Sequence, residues 1–301
     1  MNIRERIVLF LKGMAIGIAD SVPGVSGGTI AVISGIYEHL LKALRSCNPM
    51  ALKVLYQQGF KAFWRSIDGS FLLTLGMGIL GSLLLMANTV LYLLDNHFML
   101  VMAFFLGLVL ASCVLLYREM GTVSLVKTLI FLAGFALTAL TAVINPAAGS
   151  TSLLYLFFCG AIAICAMILP GISGAFILIL LGVYEFVLDA LRSLQLDVVI
   201  VFAAGCAIGL LSFAHVLTLM FFYYRQPTYA FLVGMLAASV VVLWPWRLST
   251  EPGAGLGMMP WTYTELTGHS AMVPMVLLCA VGGFALIMLF AATVSRLAGN
   301  K

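Results

Sequence analysis

Two apolar stretches of this chain, residues 7–45 and 152–192, are each broken in the middle by Pro-Gly, and the two breaks are copies of one another. Pro23-Gly24-Val25-Ser26-Gly27 matches Pro170-Gly171-Ile172-Ser173-Gly174 at an offset of 147. The match continues through Gly35, Tyr37 and Glu38 on Gly182, Tyr184 and Glu185, and through Ala43-Leu44-Arg45 on Ala190-Leu191-Arg192. An internal repeat of this kind sets the architecture before any local feature does. A Pro-Gly break inside an apolar run also frees backbone groups that cannot face lipid, so each break must be buried in protein or line a wet cavity.

The rest of the chain supplies the setting. Hydrophobic residues make up 63% and charged residues 9%, against about 25% charged in a soluble domain, so the chain is expected to be an integral membrane protein. Its thinly spread net charge of +4 excludes a nucleic-acid surface. Six further segments, 71–94, 98–117, 125–144, 198–224, 228–246 and 271–294, are long enough to cross about 30 Å of hydrocarbon as helices. A hairpin leaves on the side it entered, and three single spans separate the two hairpins, so the second hairpin is inverted relative to the first. Gly107 and Ser112 fall on Gly234 and Ser239 at the smaller offset of 127, because the connection 46–70 has no counterpart of similar length after Arg192.

The expected fold is therefore an all-α polytopic membrane protein with an inverted-topology repeat. Its first half, 1–145, holds hairpin 7–45, an interfacial segment 46–70 and spans 71–94, 98–117 and 125–144; its second, 146–301, holds hairpin 152–192 and spans 198–224, 228–246 and 271–294. On this topology 13 of the 15 Lys and Arg residues lie on the N-terminal side, leaving Arg192 and Arg247 on the other. The positive-inside rule then puts both termini in the cytoplasm. Leu52, Leu55, Tyr56, Phe63 and Ile67 recur at roughly helical spacing among Lys53, Lys61 and Arg65, which predicts a short helix at the cytoplasmic interface. Arg4 and Arg6 before an apolar stretch imitate a signal peptide, but Lys12 interrupts the stretch and Asp20 and Pro23 follow it, so the segment is expected to stay in the mature fold.

The chemistry-bearing residues are few. Ser26-Gly27-Gly28-Thr29 and Ser173-Gly174-Ala175 each open a helix after the break. Unpaired N–H groups and about half a positive charge of macrodipole sit at such a start, so two facing starts suit phosphate or carboxylate. The alternative is that the glycines only let helices pack closely. The six cysteines lack ligand spacing, no P-loop occurs and no Ser/His/Asp set assembles, so neither catalytic residues nor metal nor cofactor are expected.

The pair Ala19-Asp20-Ser21-Val22-Pro23-Gly24-Val25-Ser26-Gly27-Gly28-Thr29 and Leu169-Pro170-Gly171-Ile172-Ser173-Gly174 resembles the bacterial undecaprenyl-phosphate (polyprenyl-phosphate) translocase family, over essentially the whole chain. The resemblance implies a lipid transporter of the bacterial cytoplasmic membrane. Its partner is a polyprenyl-phosphate lipid, moved from the outer to the cytoplasmic leaflet for carrier recycling in cell-envelope synthesis. From the residues alone, a small-anion transporter or channel and an intramembrane lipid-phosphate phosphatase or transferase remain the alternatives, and the oligomeric state is open.

On this reading Ser26, Gly27, Gly28, Thr29, Ser173 and Gly174 bind phosphate. Arg45 and Arg192 sit about 25 Å further along if each second limb is one straight helix. They either receive phosphate at the two faces or merely complement helix ends. Glu38 and Glu185, about 15 Å along, either couple or gate transport or pair with neighbouring cations. Asp20 has Met167 in the matching position; it either binds a cation or proton, or caps the first turn after the break. His215 is expected to be a packing residue.

Overall fold

The computed structural model describes residues 3–20, 26–141, 149–247 and 257–298, and among these every regular element is helical. Pro23-Gly24-Val25, Ile144, Pro252 and the side chain of Arg192 lie outside the described residues.

Helix α1 (Ile3–Asp20) is followed after the first break by α2 (Gly27–Ile33) and α3 (Tyr37–Ser46). Then come α4 (Pro49–Gln58) and α5 (Phe60–Ser66). Asn48 starts α4 by accepting from the N–H groups of Met50 at 2.9 Å and Ala51 at 3.2 Å, with Pro49 in the first turn where its missing N–H is not needed. α6 (Gly69–Tyr117) is two helices joined at His97, whose φ of −137° and ψ of 34° leave the helical region. α7 (Leu125–Thr141) completes the first half.

The second half repeats the plan with α8 (Leu153–Ile168), α9 (Gly174–Leu180) and α10 (Tyr184–Arg192). It continues with α11 (Leu196–Tyr223), α12 (Arg225–Val242), α13 (Pro260–Thr267) and α14 (Val273–Ala298). Three of these segments are long and apolar enough to cross a membrane unaided: Asn96–Met120, Leu196–Tyr223 and Arg225–Val242. Gly69–Ser82, Leu125–Thr141, Leu153–Ile168 and Val273–Leu289 are shorter apolar helices. Leu129, Ile208, Val216, Leu278 and Val281 stand exposed on such helices, as side chains facing lipid do.

Two expectations are corrected, and one connection is ordered as well. The second limb of each hairpin is not one helix: it breaks again at Gly35 (φ +70°) and Gly182 (φ +67°), a backbone region that glycine enters without a Cβ penalty. In the second hairpin the pieces Gly174–Leu180 and Tyr184–Leu191 are bent by 113°, so the distances reckoned along a straight limb do not apply. The interfacial segment holds two helices because Gly59 (φ +79°) separates them. The connection after Trp246 contains α13, ended by the left-handed Gly268, and Trp244 and Trp246 tie this connection down by donating to the carbonyls of Met258 (2.8 Å) and Ala271 (2.9 Å).

The chain forms two compact units, each drawing on both sequence halves. One contains α1–α5, α6 as far as Ala87, and α8–α11 with Arg225 at its end. Within it α11 packs chiefly on α8 and then on α3. The α8–α11 approach is close enough that a Cβ at Gly205 would overlap the Phe157 carbonyl oxygen. Leu156, Cys159, Val183 and Ala190 of the second hairpin pack with Val198 of α11 in one buried core.

The other unit contains α6 from Asn88, α7 and the remainder from Gln226 on. Here the repeat-related Gly107 and Gly234 have like tasks: a Cβ on the first would overlap Ala280 on α14, and on the second Phe131 on α7. Ser112 and Ser239, also repeat-related, are both buried and donate to carbonyls four residues back, those of Leu108 at 2.5 Å and Met235 at 3.1 Å. Arg247 is buried and donates to the carbonyls of Val241 and Trp244, closing the end of α12.

Candidate functional site

Within the first unit the start of α2, which follows the first break in sequence, meets the end of α8, where the second break begins. α8 stops because Pro170 cannot continue it and holds Leu169 extended (φ −69°, ψ 131°), which leaves last-turn carbonyls without helical partners. Ser26, 2% exposed, supplies one: its hydroxyl lies 3.0 Å from the Leu169 carbonyl and 3.2 Å from that of Met167, sharing its single proton. The same Oγ accepts from the Gly28 N–H at 3.2 Å. Gly28 has to be glycine, since a Cβ would overlap the Ile168 carbonyl oxygen. Thr29, also buried, accepts from the Gly171 N–H at 3.2 Å. Asp20 accepts from the Gly27 N–H at 2.6 Å, so a protein carboxylate already occupies the start of α2. Ser26, Gly27, Gly28 and Thr29 are thereby committed to an internal network that locks two oppositely polarised helix ends together.

The second loop differs. Ser173 has the same extended backbone (φ −93°, ψ 130°), but its side chain makes no cap bond and is half-buried. Among the described residues its hydroxyl has no hydrogen-bond partner. Met167 stands where the first loop has Asp20, and among the described residues no carboxylate is bonded to the Gly174 N–H. Gly174 itself packs on α8, where a Cβ would lie 2.8 Å from the Ala163 carbonyl oxygen.

The charged candidates also separate. Glu38 pairs with Arg225 at 3.1 Å, whereas its repeat mate Glu185 is exposed with no ion-pair partner among the described residues. Arg45 is half-buried and lines two cavities, one shared with Glu38, Lys42 and Arg225, the other with Met50, Leu211 and His215. His215 thus lies on a cavity wall rather than in packed core, because α11 turns that face toward α4. His39 stacks on Phe71 at 4.0 Å and reaches Asp68 at 2.6 Å, an exposed pair. Cys47 borders the larger cavity, and burial pushes its thiol above the usual range, so it stays protonated at neutral pH.

Sequence reasoning missed Arg225 and Lys42 as site residues and Lys12 as a structural one. Lys12 reaches from α1 to donate to the Ser34 carbonyl at 2.6 Å, at the end of α2. Arg225 entered only as a mark of sidedness, Lys42 also as a neighbouring cation for Glu38, and Lys12 also as the charge that interrupts the signal-like stretch. Arg225 directly after the aromatic run Phe221-Phe222-Tyr223-Tyr224 was the available signal, since aromatic residues beside an arginine mark the end of a span. Among the described residues no three His, Cys, Asp or Glu gather in a metal-holding group.

The profile of a protein family described as undecaprenyl phosphate translocase-like matches residues 16–254. The chain is 44% identical over 238 residues to a protein of Vibrio cholerae named polyprenyl-phosphate transporter, covering 79% of this chain and 77% of that one. It is 29% identical over 253 residues to a Staphylococcus aureus protein of the same name, covering 78% of this chain and 85% of the relative. No solved structure shows a significant match.

Proposed function

This chain belongs to the undecaprenyl phosphate translocase-like family, and from that premise we propose that it carries polyprenyl monophosphate from the outer to the cytoplasmic leaflet of the bacterial cytoplasmic membrane. The observation that carries the reading is the likeness to proteins named polyprenyl-phosphate transporters along most of both chains. Physical chemistry supports it. The prenyl tail can remain in lipid, while an isolated phosphate in hydrocarbon would cost tens of kcal/mol on a Born reckoning (roughly, at low dielectric), so only the head needs a polar path.

In this proposal both termini are cytoplasmic and the halves 1–145 and 146–301 are inverted repeats. The open loop, through the Ser173 hydroxyl and the Gly174 N–H, meets the phosphate at depth. The closed loop of Ser26, Gly27, Gly28 and Thr29 frames it, with Asp20 as its cap. Arg45 receives the head on the cytoplasmic side and Arg192 on the outer side, and Glu185 is the carboxylate left available for gating.

The test is transport by the purified chain in vesicles, following polyprenyl monophosphate against the pyrophosphate and against phosphatidylglycerol, with and without a pH gradient. Faster movement of the monophosphate than in protein-free vesicles is expected. Folded protein that moves the monophosphate no faster than empty vesicles do would sink the assignment.

A further inference from the structure

Between α3 and α11 lies a cavity of about 400 Å³, within the first unit, with Lys42, Arg45 and Arg225 beside Glu38 on its polar side and Phe221 and Phe222 on its apolar side. Glu38, Lys42 and Arg45 are spaced four and three residues apart on α3, so they share one helix face. Arg225, the first residue of α12 just past the end of α11, closes the wall through its 3.1 Å ion pair with Glu38. Lys42 and Arg45 have no side-chain ion-pair or hydrogen-bond partner among the described residues. The volume falls within the range of small-ligand sites, about 300–1,000 Å³.

Charge decides what the cavity suits. Three cations against one carboxylate leave an excess of two positive charges. A phosphate monoester carries about −1.5 to −2 at neutral pH and balances that excess. A neutral alcohol leaves it unbalanced, and a pyrophosphate monoester overshoots it. Arginine forks suit phosphate oxygens, and the lysine adds a point charge.

Arg45 also borders a second cavity of about 740 Å³, walled by Pro49, Met50, Leu211 and His215. A charged head in the first cavity therefore has a largely apolar trough next to it, the arrangement an amphiphile needs and a free anion does not.

We propose that Lys42, Arg45 and Arg225 form an anion subsite for the phosphate monoester head of the transported lipid, with Glu38 as the internal counter-ion that Arg225 leaves when phosphate enters. The proposal rests on the transport reading for its cargo. It adds a binding site in which Glu38 competes with the head and so favours its release. Arg225 and Lys42 become specificity residues: both favour the dianionic monoester.

The experiment titrates the full chain in detergent with dodecyl phosphate, inorganic phosphate and dodecanol. Dodecyl phosphate is expected to bind most tightly. Arg225→Gln weakens it about tenfold, the scale of a lost charged hydrogen bond, and adding Lys42→Gln weakens it further. Glu38→Gln tightens it a few-fold by removing the competitor. Arg225→Lys keeps a cation and carries the test if Arg225→Gln does not fold.

Binding unchanged within twofold in folded Arg225 and Lys42 variants overturns the subsite, even if the wild-type chain transports lipid in vesicles. Inorganic phosphate binding as tightly as dodecyl phosphate overturns the lipid-head identity. If Glu38→Gln weakens binding as much as Arg225→Gln does, the pair is only structural and the proposal fails. Arg225-dependent binding in a chain that moves no polyprenyl phosphate would instead leave the subsite standing and remove the transport reading.

Discussion

The two Pro-Gly loops share a motif, a helix of seven residues after it and a second glycine break at the same offset, yet one is closed and the other open. In the first, Asp20, Ser26 and Thr29 reach from three directions and satisfy the local N–H and carbonyl groups. In the second, Met167 and Phe176 stand where Asp20 and Thr29 stand in the first, and the Ser173 hydroxyl has no partner among the described residues. The difference teaches how a duplicated element divides its work. One copy spends its polar groups on holding the helix ends together, and in the other the Ser173 hydroxyl is left unpaired among the described residues.

The sharpest way to break this comparison is to give the second loop what only the first has. Met167→Asp places a carboxylate near the Gly174 N–H, where it would repel a phosphate at about 4 Å by roughly 4 kcal/mol at intermediate dielectric. Transport in vesicles should fall about 1,000-fold with melting temperature kept, since each 1.4 kcal/mol or so is a factor of ten. Transport at the wild-type rate would show that the open loop is not on the path.

Next in size is the closed loop's packing. Gly28→Ala forces a methyl group onto the Ile168 carbonyl and should cost about 1–3 kcal/mol of stability, read as a lower melting temperature in detergent. The reciprocal Ala175→Gly should cost less than about 1 kcal/mol, the helix-interior difference between the two residues. Equal losses would erase the asymmetry.

The serines separate stability from transport. Ser26→Ala leaves buried carbonyls and the Gly28 N–H short of a partner and should cost about 1–3 kcal/mol. Ser173→Ala should leave melting nearly unchanged while slowing transport about tenfold, the worth of one hydrogen bond to a charged group. A melting loss at Ser173 matching that at Ser26 would count against the division of labour.

The smallest expected contrast lies at the arginines. Arg192→Gln should slow uptake from the outer leaflet more than Arg45→Gln does, by a few-fold, because only the former faces that leaflet in the proposed topology. Equal effects in assays initiated from each side would remove the two-ended arrangement.

Much of the architecture was legible along the chain. Pro-Gly in an apolar run announces a break wherever it stands, so the starts of α2 and α9 were legible just after Ser26 and Ser173. The second break was not, although Gly35 and Gly182 were visible as repeat partners, because a lone glycine in a helix is usually tolerated and its positive φ is settled by packing. The site was legible in part. Ser26 and Thr29 stood out correctly as polar groups at a helix start, but their partners lie on the far side of the repeat, 141 to 143 residues away.

The sequence by itself determined membrane residence, the all-α class, the duplicated break and the family. Those follow from composition, periodicity and motif, which are properties of residues near one another in the chain. Only the tertiary structure decided which loop is closed, that Glu38 belongs to Arg225, and that Lys42, Arg45 and Arg225 surround one cavity. The reason is physical: hydrogen bonds and ion pairs act over a few ångströms in space, and only the packing of α2 on α8 and of α3 on α11 brings those distant residues within that reach.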